Sequence, residues 1–133
     1  MKTRIILTFF SCFFISVLSS QEKLKDTLFF KFDKKYINTY EQIPHHFYLD
    51  DSSGSSDGSF FFEELGIIDN VKPKEILCLK KAVRSSKFYN KQKKRKLDDN
   101  GLFEYFDNYI IFLVKKNKNT NIYIRVRANW EIE

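Results

Sequence analysis

Residues 109–133 read YIIFLVKKNKNTNIYIRVRANWEIE, and this stretch decides the fold class. Tyr109 to Lys116 opens with an unbroken apolar and aromatic run, the pattern of a strand covered on both faces. Lys116 to Asn121 is a polar turn. From Ile122 onward the chain alternates without error. Ile122, Ile124, Val126, Ala128, Trp130 and Ile132 fall on one side, and Tyr123, Arg125, Arg127, Asn129, Glu131 and Glu133 on the other. A period of two is the period of a strand, so residues 109–133 predict a β-hairpin whose last strand has one face in the core and one in water.

Upstream of the hairpin, Asp98-Asp99-Asn100-Gly101 reads as a turn and Leu102 to Asp107 as a short helix. Pro73 marks the start of the main helix. Proline suits a first turn, where no N–H is required, and Glu75 complements the positive helix start. Ile76, Leu79, Ala82 and Val83 then share roughly one third of the helix circumference. Cys78 lies among them in Ile-Leu-Cys-Leu and is expected to be a small buried hydrophobe.

Towards the N-terminus, Leu28, Phe30, Phe32 and Tyr36 alternate with Phe29, Lys31, Asp33 and Lys35, which predicts a strand over 27–37. Phe47-Tyr48-Leu49 reads as a short second strand, and Phe60 to Leu65 as a strand in preference to a capped helix. Residues 50–59, rich in Asp, Ser and Gly, read as an exposed loop. The expected architecture is α+β: a small antiparallel sheet of about three to five strands, with the one main helix packed on a face.

The first twenty residues belong to a different class. Lys2 and Arg4 precede an uncharged run from Ile5 to Leu18, and Ser19 and Ser20 lead into the charged Glu22 and Lys23. These are the parts of a secretory signal cut before Gln21. A helix of that apolar length spans about 21 Å, short of a hydrocarbon core near 30 Å, so a retained anchor is disfavoured. The expectation is a leader at 1–20, a single exported domain at 21–133, periplasmic or extracellular, and no transmembrane segment in the mature chain. Removing Lys2, Arg4 and Cys12 lowers the net charge from +6 to +4 and leaves Cys78 without an internal disulfide partner. The domain must then stand on its hydrophobic core.

Motifs that carry chemistry are sparse. His45 and His46 are adjacent, so in an extended segment they point to opposite faces and make a poor ligand pair. No register of Asp50–Glu63 satisfies the calcium-loop pattern, because glycine and the closing glutamate never fall in place together. Gly-x-Ser-x-Gly and glycine-rich phosphate loops are missing. The residues therefore point to no catalytic group, metal or cofactor.

Charge is the feature that stands out. Tyr36 to Val71 holds seven acidic residues and no Lys or Arg, whereas Lys72 to Lys96 holds eleven basic residues and one acid, Glu75. If the helix continues past Ser86, Lys80, Arg84, Lys87 and Lys91 form one basic stripe, followed by Lys93, Lys94, Arg95 and Lys96. Basic residues interleaved with Phe88 and Tyr89 suit an anionic surface or another protein as partner. Lys outnumbers Arg 18 to 5, which argues against sequence-specific nucleic-acid reading, since Arg is the residue of bidentate base contacts. The expectation is a small exported, non-enzymatic binding module. The alternative is a small extracytoplasmic hydrolase or inhibitor-type domain. A polar cleft holding Asp or Glu near His45 or His46 favours the alternative, and a flat basic face favours the module.

Overall fold

The hairpin forms as its pattern requires, and the rest of the sheet is built on it. The structure is a computed structural model that describes residues 25–52, 58–92 and 96–131. The leader at 1–20, the loop interior at 53–57, the basic residues Lys93, Lys94 and Arg95, and Ile132 and Glu133 lie outside the described residues. Eight strands are described: β1 (Asp26–Lys31), β2 (Ile37–Tyr40), β3 (Ile43–Leu49), β4 (Ser59–Ile67), β5 (Tyr89–Asn90), β6 (Lys96–Leu97), β7 (Tyr109–Asn117) and β8 (Thr120–Glu131). Two helices accompany them, α1 (Leu79–Arg84) and α2 (Asp99–Phe106).

Six strands make one sheet in the order β1-β7-β8-β4-β3-β2, and β5 and β6 pair separately. All neighbours in the large sheet are antiparallel except β1 and β7, which run parallel from Asp26↔Tyr109 to Lys31↔Val114. The molecule is thus mostly β, with a six-stranded mixed sheet. This corrects the expected α+β fold of three to five antiparallel strands with one main helix. Alternation reports which residues face a core; it carries no information on strand direction, so the parallel pair was invisible to it.

The apolar run of β7 has the reason expected of it. It lies between β1 and β8, and Ile111, Phe112, Leu113 and Val114 are all buried. Along β8, Ile124, Val126 and Ala128 are buried while Arg125, Arg127 and Glu131 face water. Phe60 and Phe62 of β4 join this core, and Phe106 of α2 meets Phe30, Phe60 and Phe62 at ring-centroid distances of 5.8, 5.8 and 5.5 Å.

Three local expectations fail for identifiable reasons. The strand predicted over 27–37 stops at Lys31, because Asp33 turns the chain. Its carbonyl accepts from the N–H groups of Tyr36 and Ile37, and its carboxylate from that of Lys35. The helix predicted from Pro73 begins only at Leu79 and lasts six residues. Leu77 pairs instead with the outer edge of β1: its N–H donates to Phe29 O at 2.7 Å and its carbonyl accepts from Lys31 N at 2.9 Å. That edge needed a partner, and the tertiary pairing outweighs the helix signal of Pro73. Residues 71–75 run over the back of the sheet, where Val71, Lys72, Lys74 and Glu75 share a cleft of about 500 Å³ with Phe29 and Phe112. Ile76 is consequently exposed, and so is Cys78, the N-cap of α1, which corrects its expected burial.

At its other end α1 stops at Arg84. Ser85 and Ser86 turn their hydroxyls back onto the carbonyls of Ala82 and Val83, at 3.3 and 2.6 Å, and Ser86 Oγ also accepts from Phe88 N–H. Serine competing for backbone groups ends a helix in this way. The helix expected to carry the basic stripe past Ser86 does not exist. The short helix after the Asp98 turn does form, one turn earlier than its apolar residues suggested, with Asp98 accepting from Gly101 N–H at 3.0 Å as N-cap.

Candidate functional site

Among the described residues, a groove and a cleft can be distinguished on the helix-bearing face of the sheet. The groove, of about 710 Å³, lies between α1 and α2 at the β1 edge. Phe30, Leu102 and Phe106 form its buried floor, with Leu28, Ala82, Phe88 and Tyr105 along its walls. Polar groups in the lining are few: Ser86, Lys87, Glu104, Asn108 and the Tyr105 hydroxyl. Lys87 Nζ sits 5.4 Å from the centroid of the Phe88 ring, so the ammonium is placed on the rim against a groove-lining aromatic face.

The basic residues reach this region by a helix, a turn and a two-stranded ladder rather than along one helix. Lys80 lies exposed on α1, Lys87 follows in the turn after it, and Lys91 lies exposed just beyond β5. Lys96 belongs to β6, paired with Asn90, and Lys93, Lys94 and Arg95 connect the two short strands in sequence. Arg84 is set apart from the others. Its Nε and Nη2 donate to the two oxygens of Asp51 at 3.0 and 3.1 Å, and Asp51 is fully buried. Tyr36 Oη donates to the same carboxylate at 2.9 Å. Burial works to raise the Asp51 pKa, but the hydrogen bonds from Arg84 and Tyr36 overcome it and hold the carboxyl below its ordinary value. Burial, then the bond to Asp51, pushes the Tyr36 hydroxyl far above its ordinary value. Arg84 therefore fastens α1 to the end of β3.

A second buried carboxylate holds the other wall. Asp99, in the first turn of α2, accepts from Ser52 Oγ at 2.6 Å and from Phe60 N–H at 2.8 Å through one oxygen, Oδ2. Ser52 and Phe60 flank residues 53–57, so a single side chain gathers both stems of that loop. Neither Asp51 nor Asp99 was assigned this anchoring role from the sequence. Their only signal was acidic residues inside a turn-like, apparently solvated run.

The second concavity lies beside β2 and has about 790 Å³. Its lining mixes Phe32, Ile37 and Phe47 with Lys34, Glu41 and Glu64. His45 Nδ1 is 2.9 Å from Glu64 Oε2, and the histidine side chain is 70% exposed. His46 points to the opposite face, where its ring stacks on Phe61 at 4.4 Å. The two histidines diverge as their adjacency requires. Among the described residues no group of three or more His, Cys, Asp or Glu gathers where a metal ion could be held, and no helix is long and apolar enough to cross a membrane. Comparison with protein-family models, curated proteins and solved structures finds no match to this chain.

Proposed function

We propose that the protein is an exported, non-enzymatic binding module that meets an anionic partner through the segment from Lys80 to Lys96. The observation that carries this reading is the conjunction of exposed lysines and an apolar groove in one segment. Lys80, Lys87 and Lys91 face water, and Ala82, Phe88 and Lys87 itself wall the groove. A large apolar concavity with a few convergent polar groups is the usual form of a binding site. Export is supported by the residue pattern at 1–20 and is tested by intact-mass analysis of protein recovered outside the cytoplasm. The expected chain starts at Gln21, or at Ser20; a main form that is uncut or lipid-modified sinks the proposal of a cleaved leader.

The basic segment is tested by retention on heparin. Charge reversal of Lys80, Lys87 and Lys91 to Glu is compared with reversal of Lys31, Lys35 and Lys116, which alters net charge equally. Arg84 is left intact because it is bound to Asp51. The first set should elute at much lower salt, since exposed charges act over a Debye length of only about 10 Å at 0.1 M. Equal loss from both sets reduces the surface to diffuse attraction. One observation favours a second reading, a small hydrolase: the polar cleft holds Glu64 beside His45. That reading requires hydrolysis of chromogenic esters or glycosides above the buffer rate, falling to that rate in His45→Ala.

A further inference from the structure

We infer that the groove between α1 and α2 receives the hydrocarbon chain of a single-chain anionic amphiphile, a long-chain carboxylate, with its head group at Lys87. The inference rests on the proposed anionic partner and names its chemistry. Volume, lining and charge each bear on it.

The groove measures about 710 Å³, within the range of about 300–1,000 Å³ that encloses small-molecule ligands. Its floor and most of its walls are hydrocarbon and aromatic rings. A peptide laid in it would bring a backbone N–H and C=O with every residue, and the polar side chains of the lining, Ser86, Lys87, Glu104, Tyr105 and Asn108, are too few to satisfy them. An alkyl chain has no polar group to satisfy. The lining therefore selects a chain over a peptide.

Charge fixes the head. Lys87 is the cation of the lining, held at the rim by the ring of Phe88, with Lys80 and Lys91 exposed elsewhere in the same segment. Glu104 is the anion of the lining and repels a carboxylate placed beside it, so the favoured pose puts the head on the Lys87 side. A cationic head placed at the same rim meets Lys87 as a like charge. The walls that would hold the chain are themselves fixed, α1 through Arg84 and Asp51 and α2 through Asp99.

The experiment is titration calorimetry of the purified protein with dodecanoate and, separately, with dodecyltrimethylammonium, both below their micelle-forming concentrations. The two share a chain and differ in the sign of the head. Dodecanoate should bind saturably at a single site and about tenfold or more tighter than the cation, with Lys87→Glu removing that preference. Ala82→Phe, which places a ring in the groove, should abolish binding. Leu28→Gln at the β1 wall is the second variant, so that a folding failure in one leaves the other as the test. Each variant is accepted as folded if its thermal midpoint matches the parent protein. Equal affinity for the two amphiphiles, no saturable binding, or unchanged binding in both folded groove variants overturns the inference. Heparin retention, measured on the same samples, separates the two claims. Retention specific to Lys80, Lys87 and Lys91 without dodecanoate binding overturns the amphiphile alone. Dodecanoate binding without specific retention overturns the broader basic surface and keeps the groove.

Discussion

The groove beside β1 and the cleft beside β2 lie on the same face of one sheet and have similar volumes, about 710 and 790 Å³. They differ in what stands behind them. The groove has a floor of buried apolar side chains, and its two helices are each tied down by a buried carboxylate. The cleft is edged by β2, a four-residue strand interrupted by a register shift, and the His45 side chain that meets Glu64 there is 70% exposed. A concavity becomes a dependable site when its walls are held by interactions that water cannot replace. By that measure the groove is built and the cleft is a surface feature.

The largest effect that would break this contrast lies in the groove floor. Phe106→Ala removes a side chain packed against four other rings and should cost about 3–5 kcal/mol, read as a lower urea midpoint. A loss no greater than that of a surface substitution would show that the floor is not packed as described.

Next comes the anchor of α1. Asp51→Asn keeps the shape of the side chain but weakens its bonds from Arg84 and Tyr36, and should cost about 2 kcal/mol at neutral pH. The same group predicts a pH dependence. The folded-state pKa of Asp51 lies below its unfolded value, so its contribution is complete above the unfolded value near 3.9 and is lost as pH falls through the lower folded-state value. Urea midpoints compared at pH 7 and in strong acid should therefore converge between the parent protein and Asp51→Asn. A constant difference would mean that the carboxylate charge contributes nothing.

A smaller effect has the opposite sign. Cys78 is the N-cap of α1, with extended dihedrals of φ −88° and ψ 114° and no side-chain cap hydrogen bond. Serine in that position can accept from the first-turn N–H groups, so Cys78→Ser should stabilise by about 0.5 kcal/mol. The exposed thiol should also react with a thiol reagent as readily in the native protein as in denaturant. Protection in the native state would restore a buried cysteine and displace the start of α1. Smallest of all, His45→Ala should shift stability by no more than about 0.5 kcal/mol, as exposed ion pairs do. A larger loss would make the cleft a built site and remove the distinction between the two concavities.

The elements that could be read in advance are those whose partners are local or whose pattern is saturated. β7 and β8 pair across a short turn, and the alternation of Ile122 to Trp130 has one geometric meaning. β4 was half-readable: Phe60 to Leu65 favoured a strand but also fitted a short capped helix, since its partner β8 lies far away in sequence. The segment from Asn70 to Arg84 was not readable, because its structure is imposed from a distance. Leu77 is claimed by an edge strand far away in sequence, and two serine hydroxyls close the helix before its basic residues can line up. At the site, the basic segment was visible as charge, but the groove was not. Its walls come from β1, α1 and α2, which no sequence spacing brings together. The roles of Asp51 and Asp99 were hidden as well, since a carboxylate in a Ser- and Asp-rich run reads as solvated until its partners are known.

One pairing has a further consequence, for the order in which the chain can fold. β1, near the start, hydrogen-bonds in the large sheet to β7, and β4 completes its pairing on β8. Of the large sheet, only the run from β2 to β4 can pair before the last quarter of the chain exists. Contacts of such long sequence separation form late, because closing the intervening chain costs entropy before any contact is gained. While it is being synthesised, the polypeptide lacks the central strands β7 and β8 on which the large sheet assembles. That is the condition in which a chain bearing the proposed leader has to be threaded across a membrane. The parallel strand pair thus delays folding until the C-terminal hairpin has been made.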